Sequence, residues 1–304
     1  IYTGWYTLSL HDALPISLDR SLKTPEDLER ELGVPLLGVL PRAGSQGQTY
    51  GRRRRRRQHA PKDGDSQMPV ELSAHTQPTG SLAEAARAIR TNILFMAPDR
   101  PYRTLLVTSA GPGEGKTMVA CSIAIAMAQA GHRVLLVDCD LRRPRVHKVF
   151  GRNAKLNVAQ AVLDKDLPED DTLASTVPGL HVLTAESHLP SPAEFLGSES
   201  FSNLLKVMAE RYDRVVVDSP PVAAVTDAII LSTRVDATVL VARAFTTSRD
   251  VARRAVRAIH DVGGHLAGTV LNAADASRSG GGYYYYYYYS GTYGQSPSEQ
   301  AEGT

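Results

Sequence analysis

Apolar and polar positions along this chain follow two periods, and from residue 101 onward the two take turns. Short runs rich in apolar and β-branched residues fall at Thr104 to Thr108, Val134 to Val137, Leu180 to Leu183, Val215 to Val217, Thr238 to Ala242 and Leu266 to Leu271. A strand covered on both faces needs no polar alternation, so each run predicts a buried strand. Helical spacing marks Thr117 to Ala130, Ser200 to Arg211 and Ser248 to Val262. Strand and helix alternating with short connections predict an α/β fold, a mostly parallel sheet with helices on both faces. Ligands then belong at the carboxyl edge of that sheet.

The pattern before residue 101 is less regular. In Ser17 to Arg42, Thr24 reads as an N-cap, Pro25 as the first helical residue and Asp27 and Glu29 as acids near the positive helix end, followed by a strand-like L-L-G-V-L before Pro41. Ala43 to Thr79 turns to Gly, Gln, Pro, Arg and Ser without apolar periodicity, and reads as a linker. Ser81 to Met96 reads as an amphipathic helix with Leu82, Ala86, Ile89 and Ile93 on one face. Glu84, Arg87 and Arg90 form a charged stripe on another face, whose structural reading is a solvated i,i+3 pair worth about 0.2 to 0.5 kcal/mol. The chain begins at Ile1, which suggests a fragment, and Thr7 to Ile16 looks like one reading frame of a sequencing adapter. Residues 1–16 are therefore read as non-native.

Composition changes this picture in three places. The formal charge of +2 is local: without the run Arg52 to Arg57, 28 basic residues face 32 acidic ones. Six adjacent arginines must be solvated. A functional version would hold anionic lipid, at about 1 kcal/mol per charge, ahead of non-specific nucleic-acid binding, because no aromatic platform is interleaved. Cys121 and Cys139 lack metal-ligand spacing and read as small core residues. No stretch of ~18 apolar residues predicts a membrane-spanning helix.

The chemistry concentrates after the first strand of the alternating region, in A-G-P-G-E-G-K-T-M, Ala110 to Met118. Glycines at Gly111, Gly113 and Gly115 let backbone N–H groups converge on phosphate oxygens where a helix begins. Lys116 would reach the β and γ phosphates and Thr117 would bind Mg²⁺. The strict pattern has glycine where this chain has Ala110, a mild departure. Two later strands end in acids: Asp138 and Asp140 in D-C-D-L-R-R-P, and Asp218 in D-S-P-P. Such acids often serve as turn formers. Two sites beside a phosphate loop instead predict a nucleoside triphosphatase centre that holds Mg²⁺. The histidines, His132, His147 and His265 among them, have no ligand spacing.

Near the carboxyl end, Tyr283, Tyr284, Tyr285, Tyr286, Tyr287, Tyr288 and Tyr289 run consecutively and Tyr293 follows, eight of the 13 tyrosines. No core needs such a run, which reads either as a low-complexity tract or as a set of phosphate acceptors. A tyrosine tail on an ATP-binding domain is most simply its own substrate.

These residues together resemble the cytoplasmic kinase domain of bacterial tyrosine kinases (BY-kinases) of capsule and exopolysaccharide assembly. The resemblance runs from about Ser17 to Tyr293 and rests on P-G-E-G-K-T, D-x-D-x-R at Asp138 to Arg142, V-V-V-D-S-P-P, Asn272 in V-L-N, Leu189 to Ser198 and the tyrosine tail. It implies a P-loop fold using ATP and Mg²⁺, and a kinase domain at 80–275. Around that domain it implies a juxtamembrane remnant at 17–42, an Arg-rich linker at 43–79 and a tail at 276–304 carrying the autophosphorylated tyrosines. The implied nucleotide contacts are Gly111, Gly113, Glu114, Gly115, Lys116, Thr117, Met118 and Asn272, the last at the adenine. Metal contacts would be Thr117, Asp218 and, through water, Asp140. Lys116, Asp138, Asp140 and Arg142 would be catalytic, Asp138 as the base. Reference pKa values near 10 for tyrosine and about 3.9 for aspartate make direct proton transfer roughly 8 kcal/mol uphill, so the proton would move late. Glu84, Arg87 and Arg90 match an E-x-x-R-x-x-R motif, which implies a subunit contact in a ring-like homo-oligomer. The implied partners are neighbouring subunits, the membrane surface, the polysaccharide assembly machinery and a cognate tyrosine phosphatase, with no specific nucleic acid. The implied place is the cytoplasmic face of the bacterial inner membrane. A ParA/MinD-like ATPase and a non-catalytic ATP-binding regulator are the alternatives. The first usually has a second lysine where this chain has Gly111.

Overall fold

The computed structural model describes residues 19–42, 69–152, 157–186 and 189–275. Seven strands, β1 (Leu36–Pro41), β2 (Thr104–Ser109), β3 (Val134–Asp138), β4 (Leu180–Leu183), β5 (Arg214–Asp218), β6 (Ala237–Arg243) and β7 (Leu266–Ala274), form one sheet in the order β1-β7-β6-β2-β5-β3-β4. Every pairing is parallel. Successive residues of a strand face opposite layers, as the strand period requires. Leu105 and Val107 join one apolar cluster while Leu106 joins another, and Val134 and Leu136 part from Leu135 and Val137 in the same way.

Five helices of eight or more residues cover the sheet: α1 (Pro25–Leu32), α2 (Ser81–Met96), α3 (Lys116–Gln129), α4 (Glu199–Arg211) and α5 (Arg249–Asp261). The α2 and α3 residues Ile89, Ile93, Ile123 and Ile125 pack on one face. On the other face, α4 packs through Phe201 and Met208, and α1 and α5 pack through Leu28 and Ile259. Helix α3 is apolar nearly all round because it lies between the sheet and α2, with Val119 to Ala128 buried. Helix α1 starts where the sequence puts it, with Thr24 Oγ1 accepting from Asp27 N at 3.2 Å and Gly33 ending it in the left-handed region.

Two expectations shift. Val70–Thr76, inside the stretch read as linker, is helical, with Glu71, Leu72 and Ala74 buried against the body. Residues 36–41 are the outermost strand of the main sheet, paired to β7. Arg52 to Arg57 and the tyrosine cluster lie outside the described residues.

Candidate active site

Strand β2 leads into the phosphate loop and α3 leaves it. Gly113 (φ 75°) and Gly115 (φ 88°) stand in the left-handed region, where side chains are rarely accepted. Ala110 is fully buried and is absent from the positive-φ residues, so a methyl fits there. The first intrahelical bond runs from Val119 N to Gly115 O at 3.0 Å. The N–H groups of Lys116, Thr117 and Met118 consequently have no acceptor one turn back and face the loop at the positive end of α3.

The Glu114 side chain and the Gly111 N–H are engaged with each other inside the loop. The Glu114 carboxylate is buried and turned inward, accepting from Gly111 N at 2.8 Å and from Thr247 Oγ1 at 2.6 Å. Burial pushes this carboxyl up from its ordinary range, and the two hydrogen bonds pull against that. Its carbonyl accepts from Asn272 Nδ2 at 2.8 Å, so Asn272 braces the loop from β7. Arg243 Nη1 donates to Gly113 O at 2.9 Å. The loop is tied at three points to the carboxyl ends of β6 and β7.

Facing the loop are the acids that end β3 and β5. Thr117 Oγ1 donates to Asp218 Oδ2 at 2.7 Å, and Lys116 Nζ lies 2.8 Å from Asp140 Oδ2 and 3.9 Å from Asp218 Oδ1. Asp138 is fully buried. Its Oδ1 accepts from Asp140 N at 3.1 Å, and its Oδ2 accepts from Arg145 N and Val146 N at 3.0 Å each.

Three carboxylates against one ammonium leave the centre short of positive charge. Burial first, then Asp218, raises Asp138 toward about 7, against the pull of its backbone hydrogen bonds. Asp218 is raised by burial and Asp140, with Lys116 and Thr117 opposing. Burial alone would lower Lys116, but Asp218, Asp140 and Asp138 more than offset it. Asp218 Oδ1 is buried without a hydrogen-bond partner. An orphaned carboxylate oxygen beside a hydroxyl, in excess negative charge, fits a hard divalent cation held by Thr117 and Asp218 with Asp140 close by.

The family model described as ParA, NUBPL iron-transfer P-loop NTPase, matches residues 101–301. The tyrosine-protein kinase YwqD of Bacillus subtilis is 38% identical over 71% of this chain and 92% of its own length. Among solved structures, the chimerical protein CapA2B2 aligns with a TM-score of 0.69 at 31% identity, over 82% of this chain and 99% of that one. The chain belongs to the bacterial tyrosine-kinase family of P-loop NTPases. The kinase domain of the Escherichia coli tyrosine kinase Etk also aligns with a TM-score of 0.69, at 27% identity over 84% of this chain and 95% of that domain. The chain spans 35% of the length of full-length Etk, so that relative extends well beyond this region.

Several expected site residues of this BY-kinase domain sit outside the carboxylate cluster. The Arg142 guanidinium grips Asp227 with two bonds of 2.9 Å, and Asp227 is fully buried at the start of the short helix Asp227–Ser232. Arg142 therefore fastens the loop after β3. On α2, Arg87 pairs with Glu84 and also donates to Pro78 O, and Arg90 Nη1 donates to Ala126 O at 3.1 Å. Within one chain the stripe makes the pair expected of an exposed helix face. Sequence reasoning missed two residues that shape the site, Thr247 behind Glu114 and Glu71 behind Arg145. Neither belongs to a motif. No helix among the described residues is long and apolar enough to cross a membrane.

Proposed function

We propose that this chain is an ATP-dependent protein-tyrosine autokinase. Its substrate is its own tail, Tyr283 to Tyr289 and Tyr293, presented by neighbouring subunits of a ring-like oligomer whose contact includes Glu84, Arg87 and Arg90. The cycle, reset by a tyrosine phosphatase, regulates capsule or exopolysaccharide assembly and export at the cytoplasmic face of the inner membrane. The observation that carries this reading is the convergence of Lys116, Thr117, Asp138, Asp140 and Asp218 at one loop of a BY-kinase fold, in a chain that ends in a tyrosine cluster.

The chemistry asked of these residues is transfer of the γ-phosphoryl group. The tyrosine Oη–P bond forms as the bond from phosphorus to the β,γ-bridging oxygen breaks, ADP leaves, and the phenol proton passes to a carboxylate. Bound Mg²⁺ supplies neutralising charge on the phosphates. The α3 N-terminus and Lys116 hold the phosphates and stabilise charge as it develops on them. Asp138 accepts the proton late. Burial and the neighbouring Asp218 raise its pKa from the ordinary carboxylate range, which narrows the gap to a phenol. Asp138 has no exposed surface, so side chains over it must move aside before a tyrosine hydroxyl reaches it. Each phosphate then adds about −1.5 to −2 charges to a tail, so heavily phosphorylated subunits repel one another and disperse.

The test is intact mass of residues 17–304 before and after Mg-ATP. A ladder of added phosphates is expected, absent in Lys116→Met and lost when Tyr283 to Tyr293 are deleted. ATP hydrolysis without any added phosphate would instead favour a ParA/MinD-like ATPase, the reading supported by the family-model description and by a MinD structure that shares the fold.

A further inference from the structure

Glu71 lies 67 positions before Asp138, in the 3₁₀ turn Val70–Leu72 that packs on α3. It is buried, with 4% of its surface exposed, and carries a carboxylate where the neighbouring Leu72 and Ala74 are apolar. A lone carboxylate there would be costly unless paired. Its partner is Arg145, whose Nε and Nη2 donate to Glu71 Oε1 at 2.9 and 2.6 Å. The Arg145 side chain as a whole is 61% exposed, and the carboxylate that its guanidinium meets is that of Glu71.

The backbone of the same arginine touches the reaction centre. Arg145 N and Val146 N both donate to Asp138 Oδ2 at 3.0 Å. These two bonds set the orientation of the carboxylate, leaving Oδ1 with the single bond from Asp140 N. We propose that Glu71 is a positioning residue for phosphoryl transfer, acting through Arg145 to hold the Asp138 carboxylate at a fixed angle. Through this latch the segment 69–76 belongs to the catalytic apparatus, although it lies before the domain that the motifs delimit. The assignment rests on the kinase reading for its effect on rate, but its geometric part stands without it.

Glu71→Gln is the informative change, because it weakens the latch by removing the charge that fastens the guanidinium and leaves no buried charge behind, whereas Arg145→Ala would strand the Glu71 carboxylate. In the full chain with saturating Mg-ATP, Glu71→Gln should lower the rate of autophosphorylation on the order of tenfold, the usual cost of removing a group that holds a reactive residue from behind. ADP affinity by calorimetry should stay within about twofold, since the phosphate loop is untouched, and Glu71→Asp should keep most of the rate. In an Asp138→Asn background, Glu71→Gln should cause no further loss, because the group it positions is already gone. An equal loss in both backgrounds, or a loss confined to ADP affinity, would overturn the proposal. Amide hydrogen exchange supplies a readout independent of kinase activity. Arg145 and Val146 should exchange on the order of ten times faster in Glu71→Gln while α3 amides are unchanged. Unchanged exchange at Arg145 and Val146 would refute the latch even if every variant proved catalytically silent.

Discussion

Two loops meet at the carboxyl edge of the sheet, each following a buried strand and each pinned by a buried glutamate. In the phosphate loop that glutamate is Glu114, part of the loop it pins, closing onto Gly111 three residues earlier and onto Thr247. In the loop after β3 it is Glu71, from a separate segment, gripping the far end at Arg145. The first loop carries its own anchor and is tied besides to residues at and after the ends of β6 and β7, within the main sheet region. The second is fastened at Arg142 to Asp227 and, at the end that bonds its reactive aspartate, to a separate piece of chain. A kinase built this way can keep nucleotide binding constant while its transfer step varies with the state of the segment at 69–76.

The sharpest way to break the contrast is Gly115→Ala. An added Cβ would lie 2.1 Å from Asn272 Nδ2 at a residue whose φ is +88°. The left-handed strain alone is worth about 1–2 kcal/mol, and the clash adds to it. ADP binding measured by calorimetry should fall by at least about a hundredfold, while Arg145 and Val146 amide exchange stays as in the parent. Asn272→Ala in the same chain removes the clash but not the strain, so only part of the affinity should return.

A smaller effect is expected of Glu114→Ala, which leaves Gly111 N–H and the Thr247 hydroxyl without their acceptor. Each orphaned group costs about 1–3 kcal/mol, so urea unfolding should report a loss of about 2–6 kcal/mol. If stability instead changed little, the inward glutamate would not be the anchor of its loop.

Titration reaches both loops. Burial and neighbouring carboxylates hold the Asp138 and Asp218 carboxyls well above their ordinary 3.8, so the folded state binds more protons than the unfolded chain from there toward neutral pH. Stability in metal-free buffer should therefore fall as pH rises from about 4 to about 7. Burial shifts Glu114 in the same direction. Saturating Mg²⁺ should flatten the slope by favouring the charged carboxylates, and Asp218→Asn should flatten it without metal. Urea unfolding at several pH values measures both. The smallest effect belongs to Glu84→Gln, outside either loop. Losing an exposed i,i+3 pair costs about 0.2–0.5 kcal/mol in the monomer, whereas sedimentation should show weakened self-association if α2 is the subunit contact.

The sequence pattern located each strand after residue 101, with bounds that fall short by up to three residues, as at Leu266–Ala274. Leu180–Leu183 has the bounds the pattern predicts, and Val134–Asp138 is longer by one residue. Long apolar runs and a capped helix such as Pro25–Leu32 are local signals, which is why they could be read. The helix at 70–76 escaped because a single turn with Leu72 and Ala74 has too few residues to display a period. The phosphate loop was recognisable as a motif, yet the identity of Glu114 said nothing of its inward orientation, which Thr247 and Gly111 decide. Arg142 carried a motif position, but its grip on Asp227 depends on where the helix Asp227–Ser232 lands. Pairings between residues far apart in the chain leave no trace in either stretch alone.

Strand β1 reaches the body of the protein only through space, by parallel pairing with β7 and by packing of Leu28, Leu37 and Leu40 into the cores on both faces. Residues 19–42 can thus be regarded as a built-in peptide ligand, tethered by the chain between 43 and 68. A single cut in that tether should leave two fragments that copurify. Residues 69–275 made alone would present the open edge of β7, which a synthetic 19–42 peptide should recapture as the seventh strand.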